Sequence, residues 1–362
     1  MHPLIAAAAA TWGVPAGDLA ARVAAVSLLP ARPPRQIEAF VRDYYRRRAL
    51  PPGFTFYDRG GRSPAVIWRS PDGVVRREQT VLVPPPARLL AVAVEAAVPC
   101  LRRLTNSAAQ LWDDEILRLL AFDFASGLAH AEFSVGRFFD YRLRTGLLTE
   151  EAANGACELR DSIMPTMAAF DERFTAGGLQ ALVAIARPAP YDDFAIPLQI
   201  RGRTVSDGQG LYGVIPMAYH QPIRRDGLVD ARGISSALRE LAEELCGLEE
   251  GGLDFEALPA VAEMRRRAIL EITGFTLNLV NGNYDYNILI CHPDPSYWDN
   301  YARHWSPNWE AERALILSSR DHGAFHRLIT HEDWVPQSLV SLMEGLDRLR
   351  AIDPSRCTWP GM

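Results

Sequence analysis

The sequence predicts an α+β protein: a mostly helical N-terminal half with a small β-meander, followed by an α/β/α sandwich. Three observations predict it. Apolar residues recur at helical spacing over 1–50 and 86–186. Short β-like runs separated by turn signals fill 53–84. Beyond Arg187-Pro188-Ala189-Pro190, β-like runs precede and follow an acidic helical stretch, and a second helix closes the chain. The expected units are 1–187, 191–350 and a tail, 351–362. A chain of 362 residues, 48% apolar and 23% charged, suits two domains at roughly 150 residues each.

The elements follow in order. Ala-rich helices fill 1–50, broken at Leu29-Pro30-Ala31-Arg32-Pro33-Pro34. Runs at 54–57, 65–68 and 80–83 form the meander, with turns at Asp58-Arg59-Gly60-Gly61 and Ser70-Pro71-Asp72-Gly73. Leu89, Val92, Val94 and Ala97 begin one helix, and Leu111, Ile116, Leu119 and Leu120 a second. Thr149-Glu150-Glu151 opens another, with Thr149 as its cap. Phe122, Phe124, Phe133, Phe138, Phe139 and Tyr141 supply the core of this half. Strands are expected at 194–200 and 211–218, then a helix over 234–245 and a proline-containing helical stretch to 270. Strands at 275–280 and 286–291 flank the hairpin signal Asn281-Gly282-Asn283. A strand at 315–318 and a helix at 336–349 complete the sandwich.

The basic residues are 38 arginines, with no lysine. That excludes Schiff-base chemistry, lysine-anchored pyridoxal phosphate, the P-loop and the standard protein kinase site. The net charge of −6 is uneven. Residues 1–190 hold 22 arginines against 19 acidic residues, and 191–362 hold 16 against 25. The acidic half repels phosphate backbones, so nucleic acid is not the expected partner. Cys100, Cys157, Cys246, Cys291 and Cys357 form no C-x-x-C pair. No run reaches the ~20 apolar residues of a membrane span, and Leu4–Ala10 has no basic segment before it. The chain reads as reduced, soluble and cytoplasmic, with a homodimer as an open assembly.

The segment Arg239-Glu240-Leu241-Ala242-Glu243-Glu244 carries the chemistry. On a helix, Glu240, Glu243 and Glu244 share one face. Three crowded carboxylates repel one another unless a cation or an arginine neutralises them, and a hard ion such as Mg²⁺ or Mn²⁺ is suited to oxygen ligands. Arg239 reaches Glu243 at i,i+4, and Gly247 follows as a C-cap glycine. A solvated surface face has the same composition.

This segment resembles the core, R-E-U-x-E-E (U aliphatic), of the signature of the Nudix superfamily. Tyr212-Gly213-Val214-Ile215-Pro216-Met217-Ala218 looks like the strand that leads into that family's loop. Trp309-Glu310, ahead of the strand at 315–318, looks like its late acidic segment. The likeness spans about residues 191–350 and implies a Nudix-like sandwich. Departures accompany it. The signature's first Gly falls on Arg225 and its first Glu on Ala231, with Gly227 and Asp230 nearby. Met217-Ala218 replaces Gly-Gly, and Leu245-Cys246 stands where one residue is expected.

The resemblance implies Mg²⁺ (or Mn²⁺) held by Glu240, Glu243 and Glu244, with Arg239 orienting them, in a hydrolase of a nucleoside-diphosphate-type pyrophosphate, with specialised metabolism as one setting. Arg201, Arg203, Arg224 or Arg225 would meet the phosphates, and Tyr212, Tyr219 or Tyr284 a base. The alternative is a Nudix-fold module without hydrolysis that binds a nucleotide-like ligand or a protein partner. Two further clusters have simpler readings. His322, His326 and His331-Glu332 have metal-like spacing, interrupted by Gly323. Trp112-Asp113-Asp114-Glu115 reads as an acidic helix start. The aromatic patch formed by Tyr284-Asp285-Tyr286-Asn287 and by Tyr297-Trp298 to Trp305 reads first as core and second as the wall of an interdomain pocket.

Overall fold

The computed structural model describes residues 1–28, 32–59, 64–85, 93–107, 111, 113–163, 167, 169–171, 173–222, 231–249 and 254–361. Its first helices are α1 (Pro3–Trp12), α2 (Ala16–Ala25) and α3 (Pro34–Arg46). Proline at the first helical position starts α1, and Gly13 at φ 64° ends it. Ile37, Val41 and Tyr45 recur every fourth residue of α3 and are buried. Three strands follow, β1 (Phe54–Phe56), β2 (Ala65–Trp68) and β3 (Glu78–Leu82), then α4 (Val94–Asn106). Leu89, Val92, Trp112, and the expected turn and break residues Gly60, Gly61, Leu29, Pro30 and Ala31, lie outside the described residues.

The helical reading of 111–137 is corrected. A long hairpin stands there, β4 (Glu115–Ala125) and β5 (Leu128–Arg137), closed by Ser126 at φ 53° and Gly127 at φ 68°. Asp113 opens no helix of its own. Its carboxylate accepts the Phe139 N–H at the start of α5 (Phe138–Asn154). Thr149 lies inside α5 and donates to the Thr145 carbonyl at 2.9 Å, so it caps nothing. Glu151 accepts the Leu159 and Arg160 N–H groups of α6 (Glu158–Ile163).

Next come β6 (Thr175–Ala186), β7 (Phe194–Arg201), β8 (Tyr212–Val214), β9 (Met217–Tyr219), α7 (Gly233–Leu245) and α8 (Pro259–Arg267). The chain ends through β10 (Ile269–Asn278), β11 (Tyr284–His292), α9 (Ser296–Asn300), β12 (Ala311–Ser318), α10 (His322–His331) and α11 (Pro336–Ile352).

Strand β6 is the seam of the sheet. It runs parallel to β11 from Gly177↔Tyr284 to Ile185↔His292. Its other edge meets β4 at Thr175–Ala176, β9 at Gly178–Gln180 and β7 at Ile185–Ala186. The expected meander is also corrected: β1 pairs β2, but β2 then pairs β10, and β3 runs parallel to β5. One sheet therefore runs across the expected boundary, and residues 187–190 are part of the turn between β6 and β7.

Side-chain alternation sets the layers. Leu179, Ala181, Val183 and Ile185 of β6, with Tyr286, Ile288 and Ile290 of β11, pack with Ala237, Leu238, Leu241 and Leu245 of α7. Leu182, Ala184, Leu289 and Cys291 face the other way, with Leu339, Val340, Met343 and Leu346 of α11. A parallel pair covered on both faces explains why β6 and β11 are buried throughout. No single helix among the described residues is long and apolar enough to cross a membrane. The apolar pair α1 and α2 is bent by 118° and buries Leu4, Ile5, Leu19 and Val23 in the core.

Candidate functional site

A cavity of about 220 Å³ opens where α7, β9, the 205–211 loop, the β10–β11 turn and the start of α11 meet. Helix α7 is positioned from its N-terminus. Its N-cap, Arg232, supplies no side-chain bond. The carboxylate of Glu78, from β3, accepts the Gly233 N–H at 2.6 Å and the Ile234 N–H at 3.0 Å instead. These are among the first four helix donors, which have no partner within the helix. Burial pushes the Glu78 carboxyl up to about 7, against the downward pull of both N–H bonds.

The acidic residues of α7 are buried, not solvated: Glu240, Glu243 and Glu244 are 7%, 4% and 1% exposed. Arg239, Glu240 and Glu243 line the cavity. Arg239 pairs with Glu240, and with Glu243 at 3.1 Å. Glu244 is engaged beneath them, accepting the Met217 N–H at 2.8 Å and the Gln199 amide at 3.3 Å. Burial holds its carboxyl well above the usual range, Glu310 and Glu240 push it further up, and Arg201 opposes them. Among the described residues, no group of three or more His, Cys, Asp and Glu side chains is placed to hold a metal ion.

Of the residues expected to meet a ligand, Arg201 and Tyr219 line the cavity. Arg201 pairs with Glu310 at 3.2 Å and donates to the Asp207 carbonyl. Arg203 is on the surface, its side chain 84% exposed and 3.6 Å from Glu312. Tyr212 packs against Trp334, ring centroids 5.7 Å apart. Tyr284 is a core residue, bonded to His220 Nδ1 at 2.9 Å. Arg224, Arg225, Gly227 and Asp230 lie outside the described residues. His322 of α10 bonds to Thr358 at 2.7 Å.

Asp285, on the opposite wall, falls in the aromatic patch whose second reading is a pocket wall, but the sequence reading missed Gln180, Asn278 and Gln337 beside it. Gln180 donates to Asp285 at 3.1 Å and accepts from Ser338, while Asn278 donates to Gln337 at 3.1 Å. Burial raises the Asp285 carboxyl to about 8, although Gln180 and Gln337 draw it down. The available signal was Asn278, Asn283 and Asp285 on or between otherwise apolar strands. Carboxamides offer donors and acceptors together, and Tyr219, Phe138 and Trp309 add aromatic surface. The arrangement suits a small polar ligand. In comparisons with known proteins, no family model matches the chain, and no curated protein matches it either.

Proposed function

We propose that residues 175–352 form a Nudix-like domain that binds a small, polar, nucleotide-like ligand in this cavity, by recognition without hydrolysis. The three-layer order and the acidic helix facing a cavity support the likeness. One observation carries the choice of binding. The carboxylates that the resemblance assigns to Mg²⁺ or Mn²⁺ are spent internally, Glu240 and Glu243 on Arg239, Glu244 on Met217 and Gln199. As arranged, these residues do not fit a hard divalent ion, which takes several oxygens at one point.

Hydrolysis is the second reading, favoured by the mutual crowding of Glu240, Glu244 and Glu310. One experiment separates the two. The protein is titrated with nucleosides and their mono- and diphosphates, with Mg²⁺ or with EDTA, and both melting temperature and product release are followed. Recognition predicts thermal stabilisation that survives EDTA, worth about 2.7 kcal/mol at a hundredfold excess over Kd, with no turnover. Mg²⁺-dependent release of phosphate or mononucleotide, abolished in Glu244→Gln, would establish the hydrolase instead.

A further inference from the structure

A hydrogen-bond chain of fixed polarity runs along the cavity wall. Tyr219 donates to Asp207 Oδ2 at 3.0 Å, Tyr141 donates to Tyr219 at 2.8 Å, and Asn283 Nδ2 donates to Tyr141 at 2.5 Å. The Asp207 carboxylate, 3.7 Å from Arg142, only accepts. A phenol has one hydrogen to give. Once Asp207 takes that of Tyr219, Tyr219 must accept from Tyr141, and Tyr141 in turn from Asn283. Burial keeps both phenols protonated. The Asn283 nitrogen is thus committed to Tyr141, and its oxygen must point elsewhere.

Asn283 lines the cavity and is 3% exposed. Its Oδ1 is buried with no hydrogen-bond partner among the described residues. Nearby Gln180 and Gln337, by contrast, have their carbonyl oxygens occupied by Ser338 and Asn278. A native fold rarely leaves such an acceptor unpaired, because desolvating it carries a cost. Turning the amide over would take the Tyr141 hydrogen, so that either Asp207 loses its tyrosine donor or the Tyr141 and Tyr219 oxygens meet with no hydrogen between them.

We propose that Asn283 determines ligand specificity in this cavity: its carboxamide oxygen accepts a hydrogen bond from an N–H of the ligand. Tyr141, Tyr219 and Asp207 are positioning residues that hold the oxygen in that role. The inference rests on the ligand-binding reading above and adds the ligand class, a heterocycle or amide with an N–H donor. Tyr141 does not line the cavity, so it can be altered without reshaping the surface the ligand meets.

The test has two arms. In the first, uridine and adenosine are titrated against 3-methyluridine and N6,N6-dimethyladenosine, which lack the N–H donors, into wild type, Asn283→Leu and Tyr141→Phe. Wild type should prefer at least one N–H probe over its methylated partner by about tenfold, the range of one hydrogen bond, and both variants should lose that preference. A preference that survives in Tyr141→Phe is steric and overturns the proposal. Binding of none of the probes by wild type overturns the ligand reading and the specificity role with it. The second arm needs no ligand. In 15N-asparagine-labelled protein, the Asn283 side-chain amide, assigned by its loss in Asn283→Asp, should exchange slowly in wild type and rapidly in Tyr141→Phe. Equal exchange in both means that the chain does not hold the amide.

Discussion

Glu78 sets two effects against each other at the start of α7. A carboxylate accepting two N–H groups at a helix N-terminus ordinarily stabilises, by about 1 kcal/mol as a cap. Its burial works the other way. The unfolded carboxyl releases its proton near 4.5, whereas the folded one keeps it to about 7. Between those values the folded state binds the extra proton, so stability falls as pH rises through the window. At roughly 1.4 kcal/mol per pH unit, the interval from 4.5 to about 7, already net of both N–H bonds, corresponds to about 3 kcal/mol. Glu78→Gln does not titrate, but its amide nitrogen cannot accept, so it gives up one of the two N–H bonds at every pH. We expect the variant to gain on wild type by about 3 kcal/mol between pH 4 and pH 8, on top of a constant offset from the lost N–H bond. Urea unfolding followed by tryptophan fluorescence, at constant m-value, measures the difference. Other titrating groups are common to both proteins and cancel. A variant less stable at both pH values, by a constant amount, would show that the N–H bonds outweigh desolvation and would refute the reasoning.

Three more perturbations follow from the same structure. Arg239→Met removes the guanidinium from Glu240 and Glu243 and should cost about 3–5 kcal/mol, the range for a buried ion pair losing one partner. Adding Glu240→Gln and Glu243→Gln should restore much of that loss in a thermal melt. Gly178→Ala would place a Cβ 1.8 Å from the Ala218 carbonyl oxygen, so a loss on the order of 3 kcal/mol or more is expected in urea unfolding. Gly17→Ala, within α2 with open space around it, should instead gain about 0.5–1 kcal/mol. Asp285→Asn keeps the shape of the protonated acid. Relative to wild type its melting temperature should rise steadily between pH 3.8 and about 8, and the difference should level off above that.

The legibility of the fold varied with how many faces of each element are buried. Amphipathic α3 shows its period because one face meets water. Strand β6 has none to show, since α7 and α11 cover both of its faces, and its alanine-rich run Ala181–Ala186, expected within the helical stretch 86–186, is strand instead. In β4 a register shift between Leu119 and Ala121 interrupts the alternation. Leu119 and Leu120 then fall into helical spacing with Ile116. Ser126-Gly127 was the local signal for the hairpin and outweighs that period, because both residues adopt positive φ. Pairings such as β3 with β5 and β2 with β10 link segments about 50 and 200 residues apart. Local pattern does not encode them.

The site shows the same division between direction and partner. Helical geometry places Glu240, Glu243 and Glu244 toward one side, where Glu240 and Glu243 line the cavity and Glu244 does not. Their partners come from β7, β9 and the helix itself. Glu243 and Glu244 are adjacent in sequence, about 100° apart around a helix of 3.6 residues per turn. Glu243 turns toward the cavity, where Arg239 meets it, and Glu244 turns beneath, where the Met217 N–H and the Gln199 amide meet it. Had Met217 been proline, with no N–H to give, one Glu244 oxygen would have lacked its backbone donor and Glu310 would still have faced it. Whether an acidic helix gathers a cation or satisfies itself is therefore decided by the groups opposite it, and the motif alone cannot specify them.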